Sequence, residues 1–255
     1  MKIDTHCHLD LYSYPEQIAL ESEWQNILTI AVTNLPSQFE IEYPKVLKFK
    51  KIRQALGLHP LLVENHTQKE LETFRRLTVK TSYIGEIGLD FSPEGMKTSQ
   101  EQIDSFRFAL SSINDRPRFV SLHSRKAEER VLELLEAYKV SNAVFHWFSG
   151  SISVLDQIIK AGHYLSINPA MIGSNKGRKI IELIPMNRVL TETDGPHLNI
   201  RARPVKPIDI GLVLDYLAMV WNISKDNAER QVYGNFKQII DPIRRSFTDK
   251  SLSLN

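Results

Sequence analysis

Residues 2–8 read KIDTHCH. On an extended strand, residues i and i+2 share a face. Asp4, His6 and His8 then line one face, and Thr5 and Cys7 the other. Two imidazoles at the end of a strand can hold one metal ion, and Asp4, one layer deeper, can orient them. Taken alone, a His-x-His pair fits a satisfied buried cluster as well as it fits a metal. What decides between these is whether other strands bring matching groups to the same end.

Outward from this stretch, short apolar runs recur at fairly even intervals. They are QNILTIAVT (25–33), IRQALGLHP (52–60), SYIGEIGLD (82–90), RFVSLHS (118–124), AVFHWFS (143–149), HYLSINP (163–169) and RVLTETDGP (188–196), eight with the first. Several are rich in Val, Ile, Leu and Phe with little alternation, the pattern of strands buried on both faces. The stretches between them predict helices. AEERVLELLEAYK (127–139) spaces Val131, Leu134, Leu135 and Tyr138 three and four residues apart, with Glu early and Lys late. QEQIDSFRFALSSI (100–113) keeps Ile103, Phe106, Phe108 and Leu110 near one stripe. SISVLDQIIKAG (151–162) opens on a serine cap and closes on Gly162, and PIDIGLVLDYLAMVW (207–221) opens on proline.

Eight strand-then-helix units predict an α/β fold, a (β/α)8 TIM barrel. An open doubly wound sheet is the alternative, and the glycine-rich phosphate turn it would place after its first strand is missing. No linker or low-complexity segment divides the chain, so a single domain is expected over residues 1–255, with 241–255 a polar tail open to disorder.

The 255 residues are 42% hydrophobic and 24% charged, ordinary for a globular protein and long enough to bury a core without disulfides. Cys7 is the one cysteine, which fits a reducing cytoplasm. The N-terminal residues are too polar for a signal peptide, and no apolar run approaches the ~20 residues of a membrane span, so a cytoplasmic protein with no membrane partner is expected. The net charge of +2 identifies no partner. Residues 173–206 are locally basic: Lys176, Arg178, Lys179, Arg188, Arg201, Arg203 and Lys206 stand against Glu182, Glu192 and Asp194. That is either a solvated face or a phosphate-facing patch.

The other runs end as the first does, in groups that bind metals. His59 ends GLHP, Glu86 and Asp90 lie in GEIGLD, His123 and Arg125 in LHSR, His146 in FHWFSG and Asp194 in TETDGP. Five of the eight histidines fall at predicted C-terminal strand ends, where barrel active sites are built. Such a concentration of imidazole and carboxylate points to a metal-centred site for Zn, Mn or Mg, with one ion or two. Glu86 has two carboxylate oxygens and can bridge a pair. Ions ~4 Å apart make water nucleophilic and stabilise the oxygens of an in-line phosphoryl displacement. Asp194 can ligate an ion and take a proton from the attacking water. No Ser-His-Asp elbow or P-loop competes for the role.

Other residues are open to two readings. Arg125 should share the face of His123 and suits a phosphate or a structural ion pair. Trp147 points away from His146 on an ideal strand and so would pack, whereas a bend would free it to stack a base. Asn168 and His197 are placed near the mouth. Cys7 is expected to be buried, Gly234-Asn235-Phe236 to pack or cap the last helix, and His66 and His163 to have no role.

At these residues the chain resembles the TatD family of metal-dependent deoxyribonucleases, within the amidohydrolase-like barrels. DTHCHLD, LGLHP, GEIGLD, LHSRKA, HWFSG and TETDGP occur in the family's order, from residue 2 to about residue 240. The resemblance implies a metal-dependent hydrolase barrel that cuts phosphodiester bonds of DNA, often exonucleolytically on single strands, with two divalent ions (Mg, Mn or Zn). It implies metal ligands at His6, His8, Glu86, His123, His146 and Asp194, with Glu86 and Asp194 catalytic, and a substrate pocket lined by His59 and Asp90. There are two departures. Trp147 stands where many members carry cysteine, and NIRARPVKP (199–207) stands where many carry an Arg-Gly-Lys-Arg-Asn-like stretch. Substrate preference is therefore open. HWFSG, INPAM and LTETDGPH are nearer to a diverged bacterial branch, and resemble the TatD-like nucleases encoded in Qat anti-phage defence operons. That implies partners beyond DNA: an ATPase, a QueC-like enzyme and a small accessory protein. Two other readings stay open, an amidohydrolase-type enzyme acting on a small molecule and a binding subunit of a defence complex.

Overall fold

All eight apolar runs become strands. The computed structural model describes residues 1–252, with side chains through Ser246. In chain order the strands are β1 (Lys2–Cys7), β2 (Ile27–Ala31), β3 (Ile52–Gln54), β4 (Leu56–Leu58), β5 (Tyr83–Gly88), β6 (Phe119–His123), β7 (Val144–His146), β8 (Tyr164–Ile167) and β9 (Val189–Thr191). The third run is split at Ala55: β3 pairs with β2, and β4 pairs with β5. Every pairing from β1 to β3 and from β4 to β9 is parallel and sequential. The circuit closes from β9 to β1 mainly through hydroxyls. Thr5 Oγ1 donates to the Thr191 carbonyl (3.0 Å), Thr191 Oγ1 to the Ile3 carbonyl (2.6 Å), and the Asp194 N–H to the His6 carbonyl (2.9 Å). This is the expected (β/α)8 barrel.

The strands lack alternation because both their faces are covered. β2, β7, β8 and β9 are buried at every residue. Their outer faces meet the helices α1 (Pro15–Trp24), α2 (Pro36–Val46), α3 (Gln68–Leu77), α4 (Ser99–Ile113), α5 (Glu128–Ala137), α6 (Ile152–Lys160), α7 (Pro169–Gly173), α8 (Asn175–Leu183), α9 (Ile210–Trp221) and α10 (Lys225–Leu252). The predicted start and stop of α6 are used, whereas α9 begins at Ile210, after a 3-10 turn at Pro207–Asp209. Ser151 Oγ accepts from the Val154 N–H, and Gly162 takes φ +85° beyond the end of α6. Fully buried Phe74, Phe119, Phe145 and Leu165 belong to one continuous core, each worth about 1.5–3 kcal/mol in apolar burial.

Three local features complete the fold. NIRARPVKP forms a small antiparallel pair, β10 (Asn199–Ile200) with β11 (Arg203–Pro204). The polar stretch from Asp241 is helical to Leu252 rather than a disordered tail, because buried Ile239, Ile240 and Ile243 carry α10 onto the core; residues 253–255 lie outside the described residues. Gly234-Asn235-Phe236 sits inside α10, where Asn235 Nδ2 donates to the carbonyls of Met186 and Val189 (2.7 and 2.8 Å) and Phe236 joins the core. Among the described residues, no helix is long and apolar enough to cross a membrane.

Candidate metal centre

Five imidazoles converge on one carboxylate at the C-terminal ends of the strands. Glu86 Oε2 lies 3.4 Å from His6 Nε2, 3.3 Å from His8 Nε2 and 3.4 Å from His59 Nε2. Glu86 Oε1 lies 2.6 Å from His123 Nδ1 and 3.2 Å from His146 Nε2. Asp194 Oδ1 stands 3.8 Å from both His6 Nε2 and His8 Nε2. His6 and His146 stack at 4.0 Å between ring centroids. Glu86 belongs to two separate donor triplets, one with His6 and His8, the other with His59 and His123, each with its ligand atoms within 4.8 Å of one another.

The scaffold fixes each of these groups. Gly57 has no Cβ, and one there would fall 1.5 Å from the Thr33 carbonyl oxygen. That close approach lets the Thr33 carbonyl accept the Glu86 N–H (3.0 Å) while the Thr33 N–H donates to the Gly85 carbonyl (3.1 Å). His6 Nδ1 bonds Ser121 Oγ (2.7 Å), and His59 Nδ1 accepts from the Leu61 N–H (3.2 Å). Asp4 accepts from the N–H and hydroxyl of Thr193, and from the His6 N–H (3.3 Å), so it ties β1 to the segment that carries Asp194. Glu192, fully buried, accepts from the Trp147 N–H (3.0 Å), Asn168 Nδ2 (3.0 Å) and the Ser166 hydroxyl, and lies 3.5 Å from His146 Nδ1.

Charge explains why these groups tolerate burial. Burial acts to raise the pKa of Glu86, but the surrounding imidazoles outweigh it and hold the carboxyl well below its usual range. Burial, reinforced by His146, keeps His6 neutral. At His146 burial acts to lower the pKa, and the Glu192 and Glu86 carboxylates reverse it, raising the ring well above its usual value. Burial pushes Asp194 up to about 7.

The donor set fits divalent cations. In the tautomer whose Nδ1–H donates to Ser121 Oγ, the His6 Nε2 lone pair faces a Glu86 oxygen 3.4 Å away, two acceptors across that gap. A divalent cation held by His6 and Glu86 would turn that repulsion into ligation, and neutral imidazole with carboxylate is a familiar donor set for Zn, Mn and other divalent ions. His8 Nδ1 is buried without a hydrogen-bond partner among the described residues, so that ring is not committed elsewhere by such a bond.

A sequence model of the TatD-related DNases matches residues 3–241 of this chain. The chain belongs to the TatD family. Human deoxyribonuclease TATDN3 is 24% identical over 263 residues, covering 95% of each chain. The 3'-5' ssDNA/RNA exonuclease TatD of Musicola paradisiaca is 34% identical over 158 residues, covering 59% of this chain and 60% of that one. Among solved structures, the YjjV TatD homologue of Escherichia coli has a TM-score of 0.80 at 23% identity, covering 93% of this chain and 97% of the other. A TatD family hydrolase from Entamoeba histolytica has a TM-score of 0.82 at 19% identity, covering 93% and 97%. With deoxyribonucleases and metal-dependent hydrolases as its relatives, this TatD protein is an enzyme acting on ester bonds.

In this TatD chain, His6, His8, His59, Glu86, His123, His146 and Asp194 all meet at one site. Asp90, expected to line the substrate pocket, borders the cavity, with its carboxylate 2.8 Å from His123 Nε2 and accepting the Ser92 N–H (2.8 Å). Arg125 is exposed at the same cavity, with no ion pair among the described residues, as a phosphate contact requires. Asn168 does not line the mouth; it is fully buried, bonding Glu192 and capping α7 through the Met171 N–H (3.0 Å). His197 does reach the mouth, its ring 4.7 Å from that of His8.

The basic stretch is not one phosphate patch. Arg188 donates to the Gly162 carbonyl and lies over Tyr164, Arg203 pairs with Asp209, and Lys206 pairs with Glu21. Glu192 was missed as a site residue, although the i, i+2 spacing that set Asp4 beneath His6 also sets Glu192 beneath Asp194.

Proposed function

We propose that this TatD-family enzyme is a two-metal phosphodiesterase that shortens single-stranded DNA from one end. The observation that carries the reading is the convergence of five imidazoles on the two oxygens of Glu86, with Asp194 Oδ1 3.8 Å from two of those imidazoles, His6 and His8. His6, His8, Glu86, His123, His146 and Asp194 would hold the ions, with His59 beside them. Divalent ions held there would lower the pKa of a water and offset charge on phosphate oxygens. Arg125 grips a phosphate oxygen and sets the register of the strand. Asp194 receives the proton of the attacking water as the P–O bond opposite it breaks. The cavity of about 530 Å³ admits a terminal nucleotide, and it is bordered by His59, Arg125, Trp147 and His197.

The reading extends to a setting: the cytoplasm, in phage defence, beside an ATPase, a QueC-like enzyme and a small accessory protein. The strings HWFSG, INPAM and LTETDGPH support it. Co-purification of such partners from a host expressing the whole operon tests that part.

The activity is tested with single-stranded DNA labelled at its 5′ or 3′ end, with Mg or Mn added or with chelator. Metal-dependent shortening from one end is expected. Its absence with every metal would overturn the proposal. Falling affinity with rising salt is expected for a phosphate polymer, and little salt effect would favour a small substrate.

A further inference from the structure

The chain bends immediately after His146, and the bend sends two neighbouring aromatics in opposite directions. Trp147 takes φ +41°, a conformation that bulky side chains rarely adopt. Phe148 turns into the core at 2% exposure, while Trp147 is left 36% exposed and borders the cavity that holds the candidate metal ligands. The packing role is thus taken by Phe148. A backbone held in this region by the surrounding structure is characteristic of ligand clamps. The brace here is Glu192, which accepts the Trp147 N–H at 3.0 Å and is itself fixed by Ser166 and Asn168. The indole stands 6.5 Å from the His146 ring, at 74° to it.

We infer that Trp147 is a stacking platform for an unpaired nucleobase of the nucleotide being cleaved, and that Glu192 positions it. The inference rests on the DNA-cleaving reading above and narrows its substrate to strands whose terminal base is free. In a nucleic acid whose phosphate sits among the imidazoles and Arg125, the flat apolar group within reach is the base. Stacking on an indole is tolerant of base identity, because every base offers a π face. A base held in a duplex is not free to reach the platform.

The test compares two single-stranded oligodeoxynucleotides, one ordinary and one with an abasic residue at the cleaved end. Wild-type enzyme should cleave the ordinary end with a kcat/KM about 5- to 150-fold higher, the range that stacking of one base supplies. In Trp147→Ala the ratio between the two substrates should shrink to about two-fold or less, because the base then has nothing to lose. Trp147→Phe, which keeps a ring, should restore much of the ratio. Equal rates on both substrates in the wild type would overturn the inference while leaving the nuclease intact. So would a full ratio surviving in Trp147→Ala. Failure of the wild type to cleave either oligonucleotide would remove the nuclease reading and this inference with it. The wild-type comparison needs no variant to fold.

Discussion

Glu192 shows how one carboxylate outside the expected ligand set governs a ligand within it and the residues around that ligand. It faces His146 Nδ1 and receives the Trp147 N–H, the Asn168 amide and the Ser166 hydroxyl. Glu192→Gln keeps the shape and removes the charge beside His146. A 10- to 100-fold loss of metal affinity is expected, the usual effect of disturbing a ligand's orienting partner, and metal titration of the folded variant would measure it. Residues that end a strand in His, Glu or Asp were legible from spacing alone, since strand parity fixes which of them share a face. What parity could not supply was the partner across the barrel. That Asp90 meets His123, that Ser121 meets His6 and that Glu192 reaches back to residue 147 are long-range facts, decided by strand register.

The strands and most helices followed from their patterns because each pattern matches a physical requirement: continuous apolar runs for strands covered on both sides, and three-four spacing for helices covered on one. The breaks between β3 and β4 and after β7 were not legible. Both depend on a neighbour. At the first, Thr33 inserts its hydroxyl between Ala55 and Gly57, accepting the Gly57 N–H (3.1 Å) and donating to the Ala55 carbonyl (2.8 Å). Gly57→Ala should therefore do two things, since its Cβ would collide with the Thr33 carbonyl that also receives the Glu86 N–H. Stability should fall by about 3 kcal/mol, at the upper end for overpacking, and metal affinity should fall with it. Urea unfolding reads the first and calorimetry the second. Unchanged stability would mean that the close approach at Gly57 is not obligatory.

For the molecule as a whole, the barrel buries titratable groups well away from the candidate centre, and this sets its response to acid. His163 precedes β8 and accepts the Ala143 N–H through Nδ1 (3.2 Å). Burial, helped by the charge of Arg188, lowers its pKa to about 4. The unfolded chain binds that proton from about pH 6.5 downward, while the folded protein resists it to about pH 4. The stability contribution is therefore complete above pH 6.5 and lost as pH falls toward 4, up to about 3 kcal/mol. His163→Asn keeps an acceptor for Ala143 and removes the titration. Its unfolding free energy should decline less than that of the wild type between pH 6.5 and 4, in parallel urea titrations. An unaltered acid limb would show that His163 is not a source of acid lability.

The most informative single experiment is a calorimetric titration of Mn²⁺ into metal-free protein, with Glu86→Ala beside the wild type. If Glu86 joins two donor groups into one site, the wild type takes up two equivalents and the folded variant loses high-affinity binding of at least one. No saturable uptake by the wild type, or the same stoichiometry and affinity in Glu86→Ala, would contradict a two-metal centre built on Glu86.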